Sequence, residues 1–269
     1  MLKHNLHAGE WRGSVCLILF AHRVHPDYPL LLVGNRDEFY ARPTAPADFW
    51  ADAPEILAGR DLAGGGTWLG ITRRGRLAAV ANFRQPAEFH RQGLSRGQLT
   101  VDFLRGKSAP QAYLETLARQ DDRYKGFNLL VGDGDELAYY SNRERVIRLL
   151  PPGIYGASNA LLDTPWPKVA QGKAALRALL ASGPPAPEAL LAILADTARP
   201  PDALLPDTGV GLERERLLAS RFILSPDYGT RASTVILIDR TGELTFVERT
   251  FDHAPTRWRE VRRRFRLAP

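Results

Sequence analysis

The chain has 269 residues, 44% of them hydrophobic, and a formal net charge of +6. That length supplies a sizeable core for one large domain, no stretch nears the roughly 20 apolar residues of a membrane-spanning helix, and a single cysteine excludes an internal disulfide or a four-cysteine zinc site. The basic residues are mostly arginine and scattered outside 257–266, with no nucleic-acid-reading motif beside them, so a nucleic-acid partner is not expected.

Residues 1–14 have no apolar core, which excludes a secretory signal. They read as an extension, a propeptide or a mis-assigned start ahead of a single domain over 15–269. The expected compartment is the cytoplasm. Abundant arginine, alanine and proline suggest GC-rich coding and a bacterial source. Two apolar runs, 15–21 and 29–39, are too short for helices and flank a turn with His22, Arg23, His25, Pro26 and Asp27. They predict a buried strand hairpin. The only cysteine, Cys16, lies on its first strand, and a polar knot, Asn35-Arg36-Asp37-Glu38, ends its second. Such groups are costly to bury unpaired, so they either face water or pair and do chemistry.

Residues 40–61, rich in proline and alanine and without period, read as a covering loop. Gly64-Gly65-Gly66 lacks the Lys-Ser/Thr ending of a phosphate loop and reads as a tight or flexible turn. Residues 67–72 and 76–83 predict strands joined by Arg73-Arg74-Gly75. Ser95 is expected to cap a helix reaching residue 104, and 109–119 gives a second amphipathic helix. Strands follow at 127–131 and 136–140, around an acidic turn that lacks the spacing of a calcium loop, then at 146–150 and 153–158, the last closed by Asn159. Helices are expected at 166–181, 187–197 and 213–220, and strands at 230–239 and 243–250. Residues 257–266 form either a basic amphipathic helix, with Trp258, Val261 and Phe265 on a face suited to a membrane surface, or an edge strand. This order predicts antiparallel sheets with helices on their outer faces.

Asn35-Arg36-Asp37-Glu38 followed by Phe39-Tyr40-Ala41-Arg42-Pro43-Thr44 resembles the signature of the NRDE-domain proteins, also called the transport and Golgi organisation family. The resemblance continues through Gly64-Gly65-Gly66-Thr67-Trp68-Leu69-Gly70, Val80-Ala81-Asn82-Phe83-Arg84 and Thr230-Arg231-Ala232-Ser233-Thr234. It implies an α+β fold, a four-layer αββα sandwich of two antiparallel sheets similar to the cysteine N-terminal-nucleophile hydrolases, such as choloylglycine hydrolases and penicillin V acylases. By that resemblance Cys16 is the nucleophile and Asp37 the aspartate of an Asn-x-Asp sequence. Asn82 matches the oxyanion-side asparagine, Asn159 the second asparagine and Arg231 the late arginine. Asn35, Arg36, Glu38, Trp68 and Arg84, in the same motifs, are expected to contact substrate. Where those hydrolases carry an arginine before Asn-x-Asp, this chain has Gly34, and Arg36 is the candidate substitute.

Such a site has a compact logic. A first-residue cysteine has a base in its own α-amine, two amides hold the oxyanion, an aspartate orients the amine, and an arginine favours the thiolate. The expected function is hydrolysis of a non-peptide C–N bond in a small or lipid-like substrate. The alternative is a non-enzymatic carrier of haem or another hydrophobic metabolite, because the family is implicated in haem trafficking. No resident cofactor or metal is expected. From the residues alone, Cys16 also reads as an inert core residue, Asn82 as a strand-end cap, and Asp37 as half of an ion pair with Arg36 or Arg42. His22 and His25 read either as metal or haem ligands or as an exposed turn, since no second cysteine or carboxylate completes a set. The α-amine mechanism needs Cys16 to be first. Autocleavage, a true start at Val15 followed by aminopeptidase, and a persisting extension compete, and composition favours the second. The native protein is then expected to begin at Cys16, with 1–13 loosely packed or plugging the cleft. Cys16, Asp37, Asn82 and Arg231 are expected to line one cavity with Asn159 at its rim.

Overall fold

The computed structural model describes residues 15–268. The first described elements are β1 (Val15–His22) and β2 (Leu30–Phe39), the antiparallel hairpin that the two apolar runs predict. The expected covering loop is instead two strands, β3 (Thr44–Trp50) and β4 (Ala53–Asp61). Pro46 disguises β3, because a proline cannot donate to a ladder. The β3–β4 register shifts between Ala45 and Asp48, and β3 is an edge strand, where proline is tolerated. Next come β5 (Leu69–Thr72), β6 (Leu77–Asn82), α1 (Gly97–Arg105), α2 (Pro110–Ala118), β7 (Phe127–Gly132), β8 (Leu137–Ser141), β9 (Ile147–Leu149) and β10 (Gly153–Ala157). Three helices, α3 (Pro167–Ala181), α4 (Pro187–Leu194) and α5 (Leu212–Leu218), lead to β11 (Tyr228–Ile238), β12 (Glu243–Phe251) and β13 (Trp258–Arg266). Proline opens α2, α3 and α4, where its missing N–H is not needed. Ser95 does not cap α1; Arg96 holds that position, without a side-chain capping bond.

One sheet has the order β10-β1-β2-β11-β12-β13 and the other β3-β4-β5-β6-β7-β8-β9, with every neighbour antiparallel. Alternation along each strand builds the layers. On β1, Leu17, Leu19 and Ala21 pack with Val169, Leu176, Leu190 and Leu194 of α3 and α4. Cys16, Ile18 and Phe20 point the other way, towards Leu57, Leu69, Leu77 and Leu130 of the second sheet. That sheet's far face, including Ile56, Val80 and Leu129, covers itself with Leu99, Phe103, Leu114 and Leu117 of α1 and α2. The result is the four-layer αββα sandwich that the resemblance implies.

The basic C-terminal segment is the edge strand β13 and not an amphipathic helix. Phe265 turns inward beside Phe49, while Trp258 stays out under Arg249, so the supposed apolar face does not form. Arg262, Arg263 and Arg264 are paired with Glu188, Asp48 and Glu243 at 2.6, 3.0 and 3.0 Å. No helix among the described residues is long and apolar enough to cross a membrane.

Candidate active site

The space between the sheets is apolar at one end and polar at the other. On β2 the inward face runs Leu32, Gly34, Arg36, Glu38, and that gradient opens a cavity of about 540 Å³ at the polar end. Cys16 and Arg36 are direct cross-strand partners and both line it. Such pairs hold their Cβ atoms about 5 Å apart on one face of a sheet. Arg36 is buried, donates to Thr44 Oγ1 at 3.2 Å, and stands 3.9 Å from both Glu38 and Asp61. It lies two residues from Gly34 and therefore on the same face. Gly34 could not bear a side chain: a Cβ there would meet the Leu17 carbonyl at 2.7 Å and the Trp68 ring at 3.0 Å. The Trp68 indole occupies that space, and the guanidinium moves one pleat along.

Asn82, Trp68, Glu38 and Arg231 also line the cavity. Arg231 reaches it through a bulge. Asp37 pairs with Thr230 and Arg36 with Ala232, leaving Arg231 as the extra residue, which re-aims its side chain. Its Nη1 donates to the carbonyls of Phe39, Tyr40 and Arg42 at 2.8, 3.2 and 3.0 Å.

Four expected site residues lie elsewhere. Asn35 is fully buried on the helix side, donating to the Leu194 and Arg221 carbonyls and accepting from Ser233 Oγ, so it fastens α4 to the sheet. Arg84 is buried against Glu215 of α5 at 2.6 Å and stacks on Trp166. It is a structural ion pair and not a cavity residue. Asn159 is buried behind the wall, and its Nδ2 donates to the Asn82 carbonyl at 2.8 Å. Next to it, Ser158 Oγ donates to the Cys16 carbonyl at 2.8 Å. The Ser158-Asn159 corner therefore ties the backbones of Cys16 and Asn82. Asp37, on an odd position of β2, faces the helices, where its Oδ1 accepts from Thr230 Oγ1 at 2.6 Å. Its register partner is Val15, so it stands level with the Val15–Cys16 peptide and not with the thiol. Burial pushes its carboxyl above the ordinary range, against the pull of Lys168, Thr230 and Arg36. Burial and the Arg84 charge in turn draw the Lys168 amine down, against Asp37.

Of the cavity residues that escaped the sequence reading, two matter most. Glu248 of β12 is fully buried and accepts from the Ala47 N–H at 2.7 Å and Thr234 Oγ1 at 3.3 Å. Burial raises its carboxyl to about 7. Alternation could have found it, because Leu244, Phe246 and Glu248 share the inward face. Arg96, before α1, lines the opposite wall, donates to the Gly126 carbonyl at 3.1 Å, and is lowered by burial to about 10. Nothing local marks it; only the docking of α1 brings it there. Gly66 permits that docking, since a Cβ on it would lie 2.5 Å from the Gly97 backbone.

Among the described residues, the histidines stand apart from the cavity lining. His22 ends β1 in a buried position and not in the turn, while half-buried His25 accepts the Asp27 N–H at 3.1 Å. Among the described residues no group of three or more His, Cys, Asp and Glu is arranged to hold a metal ion. The segment expected to plug the cleft, 1–13, lies outside the described residues.

A family model described as Transport and Golgi organisation 2 matches residues 15–253. The chain belongs to this family. A Transport and Golgi organization protein 2 homolog of Bos taurus is 42% identical over 94% of this chain and 99% of that protein. The Homo sapiens homolog is 40% identical over 88% and 93%, and the Drosophila melanogaster protein 29% identical over 88% and 92%. These Transport and Golgi organisation 2 relatives are animal proteins, so the expectation of a bacterial chain, read from arginine-rich composition, is corrected. Among solved structures, a mutant conjugated bile acid hydrolase from Clostridium perfringens aligns over 92% of each chain with a TM-score of 0.49 and 9% identity. A Caenorhabditis elegans ortholog of an N-acylethanolamine-hydrolyzing acid amidase covers 82% of this chain and 92% of its own, with a TM-score of 0.47 and 10% identity.

Proposed function

We propose that this member of the Transport and Golgi organisation 2 family is a cysteine amidohydrolase acting on a non-peptide C–N bond of a small or lipid-like molecule. The observation that carries the reading is the seating of the chain's only cysteine in the wall of a cavity that Asn82 also lines, cross-strand from a buried guanidinium. A neighbouring positive charge favours the thiolate, which is the reactive form. The sulfur attacks the substrate carbonyl carbon, and the Asn82 amide is a donor for the oxyanion that forms. Collapse breaks the C–N bond, the departing amine takes the proton first removed from the thiol, and water then hydrolyses the thioester to the acid. A cysteine α-amine released by processing before Cys16 would act as the base, with Asp37 level with it to orient it. Asn159 supports this site indirectly, through its bond to the Asn82 backbone.

Cys16→Ser is expected to abolish labelling by an electrophilic thiol probe and to reduce amide turnover while leaving the fold intact, since the exchange nearly conserves volume. A rival reading, carriage of haem or another hydrophobic metabolite, would use the same cavity without needing the thiol. Turnover absent in both forms, with haem spectra that change on binding to either, would replace the hydrolase by that carrier.

A further inference from the structure

Among the described residues, the cavity is lined by more basic than acidic side chains. Six cations line it: Arg36, Arg42, Arg60, Arg96, Lys125 and Arg231. Among the described lining residues the carboxylates are Glu38, Asp61 and Glu248, and Glu248 is held near half-protonation at neutral pH. Arg42 is taken by Asp61 at 2.8 Å, and Arg60 by Asp52 outside the cavity at 2.6 Å. Arg36 shares Glu38 and Asp61. Arg96 and Arg231 differ from these. Each is held in place by backbone carbonyls, and among the described residues no carboxylate lies within 4.0 Å of either. Nη2 of Arg231, and Nε and Nη2 of Arg96, make no hydrogen bond to the described residues. Both guanidiniums are partly buried, feel Glu38 without touching it, and keep N–H groups unbonded among the described residues, which an anion in the cavity would complete.

We infer that Arg96 and Arg231 form an anion-recognising subsite, so that the substrate carries a carboxylate or a phosphate in addition to its scissile amide. The inference rests on the hydrolase reading for the amide, but not for the anion. The guanidinium fork suits both oxyanions, and the cavity's size suits a small molecule. Arg96 stands across the cavity from β1 and β2, at the N-terminal end of α1, whose dipole adds to the same field.

The test uses three matched amides: N-butyryl ethanolamine, N-butyrylglycine and N-butyryl phosphoethanolamine. Binding to the Cys16→Ala protein, which cannot turn them over, is measured by calorimetry at low salt. One or both anionic amides are expected to bind about tenfold or more tighter than the neutral one, as a charge-assisted pair implies. Which of the two is preferred separates carboxylate from phosphate. Arg96→Gln and Arg231→Gln should each erode the preference, and Arg96→Lys should keep part of it. Should Arg96→Gln fail to fold, Arg231→Gln and the salt dependence of the preference in the parent protein decide. Equal affinity for all three, binding of none, or a preference untouched by either glutamine variant overturns the subsite. Acylation of Cys16 in the parent protein reads the hydrolase separately. Its absence beside an intact anion preference removes the enzyme and keeps the subsite.

Discussion

Glu248 gives a quantitative handle on the cavity. Its side chain is fully buried on β12, and its named contacts are the Ala47 N–H, the Thr234 hydroxyl and the charge of Arg36. Burial outweighs all three and lifts its carboxyl from 4.5 to about 7. The folded protein therefore keeps a proton that the unfolded chain gives up between those two values. The stability this contributes is fully present below about 4.5, falls as pH rises, and is lost once pH passes about 7. Between pH 5 and pH 8 the loss amounts to about 2–3 kcal/mol, at about 1.4 kcal/mol per unit. Glu248→Gln removes the titration and keeps an oxygen for the Ala47 N–H. Denaturant unfolding of both proteins at pH 5, 6.5 and 8 should show the variant gaining on the parent by that amount as pH rises, because other titrating groups cancel in the difference. A stability difference constant across the three pH values would refute the reasoning.

Three further perturbations probe neighbouring parts of the structure. Arg36→Met should move the alkylation of Cys16 by a small electrophile to higher pH, read from rate against pH; an unchanged profile would mean that the cross-strand guanidinium does not act on the thiol. Gly66→Ala should cost about 1–3 kcal/mol in denaturant unfolding, because its Cβ meets the Gly97 backbone, which cannot swing aside. Glu215→Gln leaves Arg84 buried without its carboxylate and should cost about 3–5 kcal/mol, whereas the paired change Arg84→Met with Glu215→Leu should recover most of that; equal losses in the two proteins would show that charge burial is not the cause.

The sheets were legible because buried strands announce themselves by apolar runs and turn residues. The β1–β2 hairpin, the strands around 127–141 and the late pair at 228–251 all carried that signal. β3 did not, since Pro46 and alternating alanines remove the branched residues that mark a strand. In the polar knot, sequence order alone could not say which side chains share a face. The pleat sends Arg36 and Glu38 to the cavity and Asn35 and Asp37 to the helices, so a single motif serves two different layers. Arg84 sits in a family motif and Asn159 matches a hydrolase asparagine, yet they act on helix docking and backbone position. Arg96 owes its place to a contact between Gly66 and Gly97 that no local pattern encodes.

The central claim is that Cys16 accepts an acyl group in this cavity. Intact-mass spectrometry after brief exposure to a p-nitrophenyl ester of butyrate, followed by peptide mapping, measures this directly. One butyryl group per chain is expected on Cys16, forming faster than on a denatured control and clearing with time as water hydrolyses the thioester. Butyryl groups spread over lysines, or a Cys16 no more reactive when folded than when unfolded, would contradict the account.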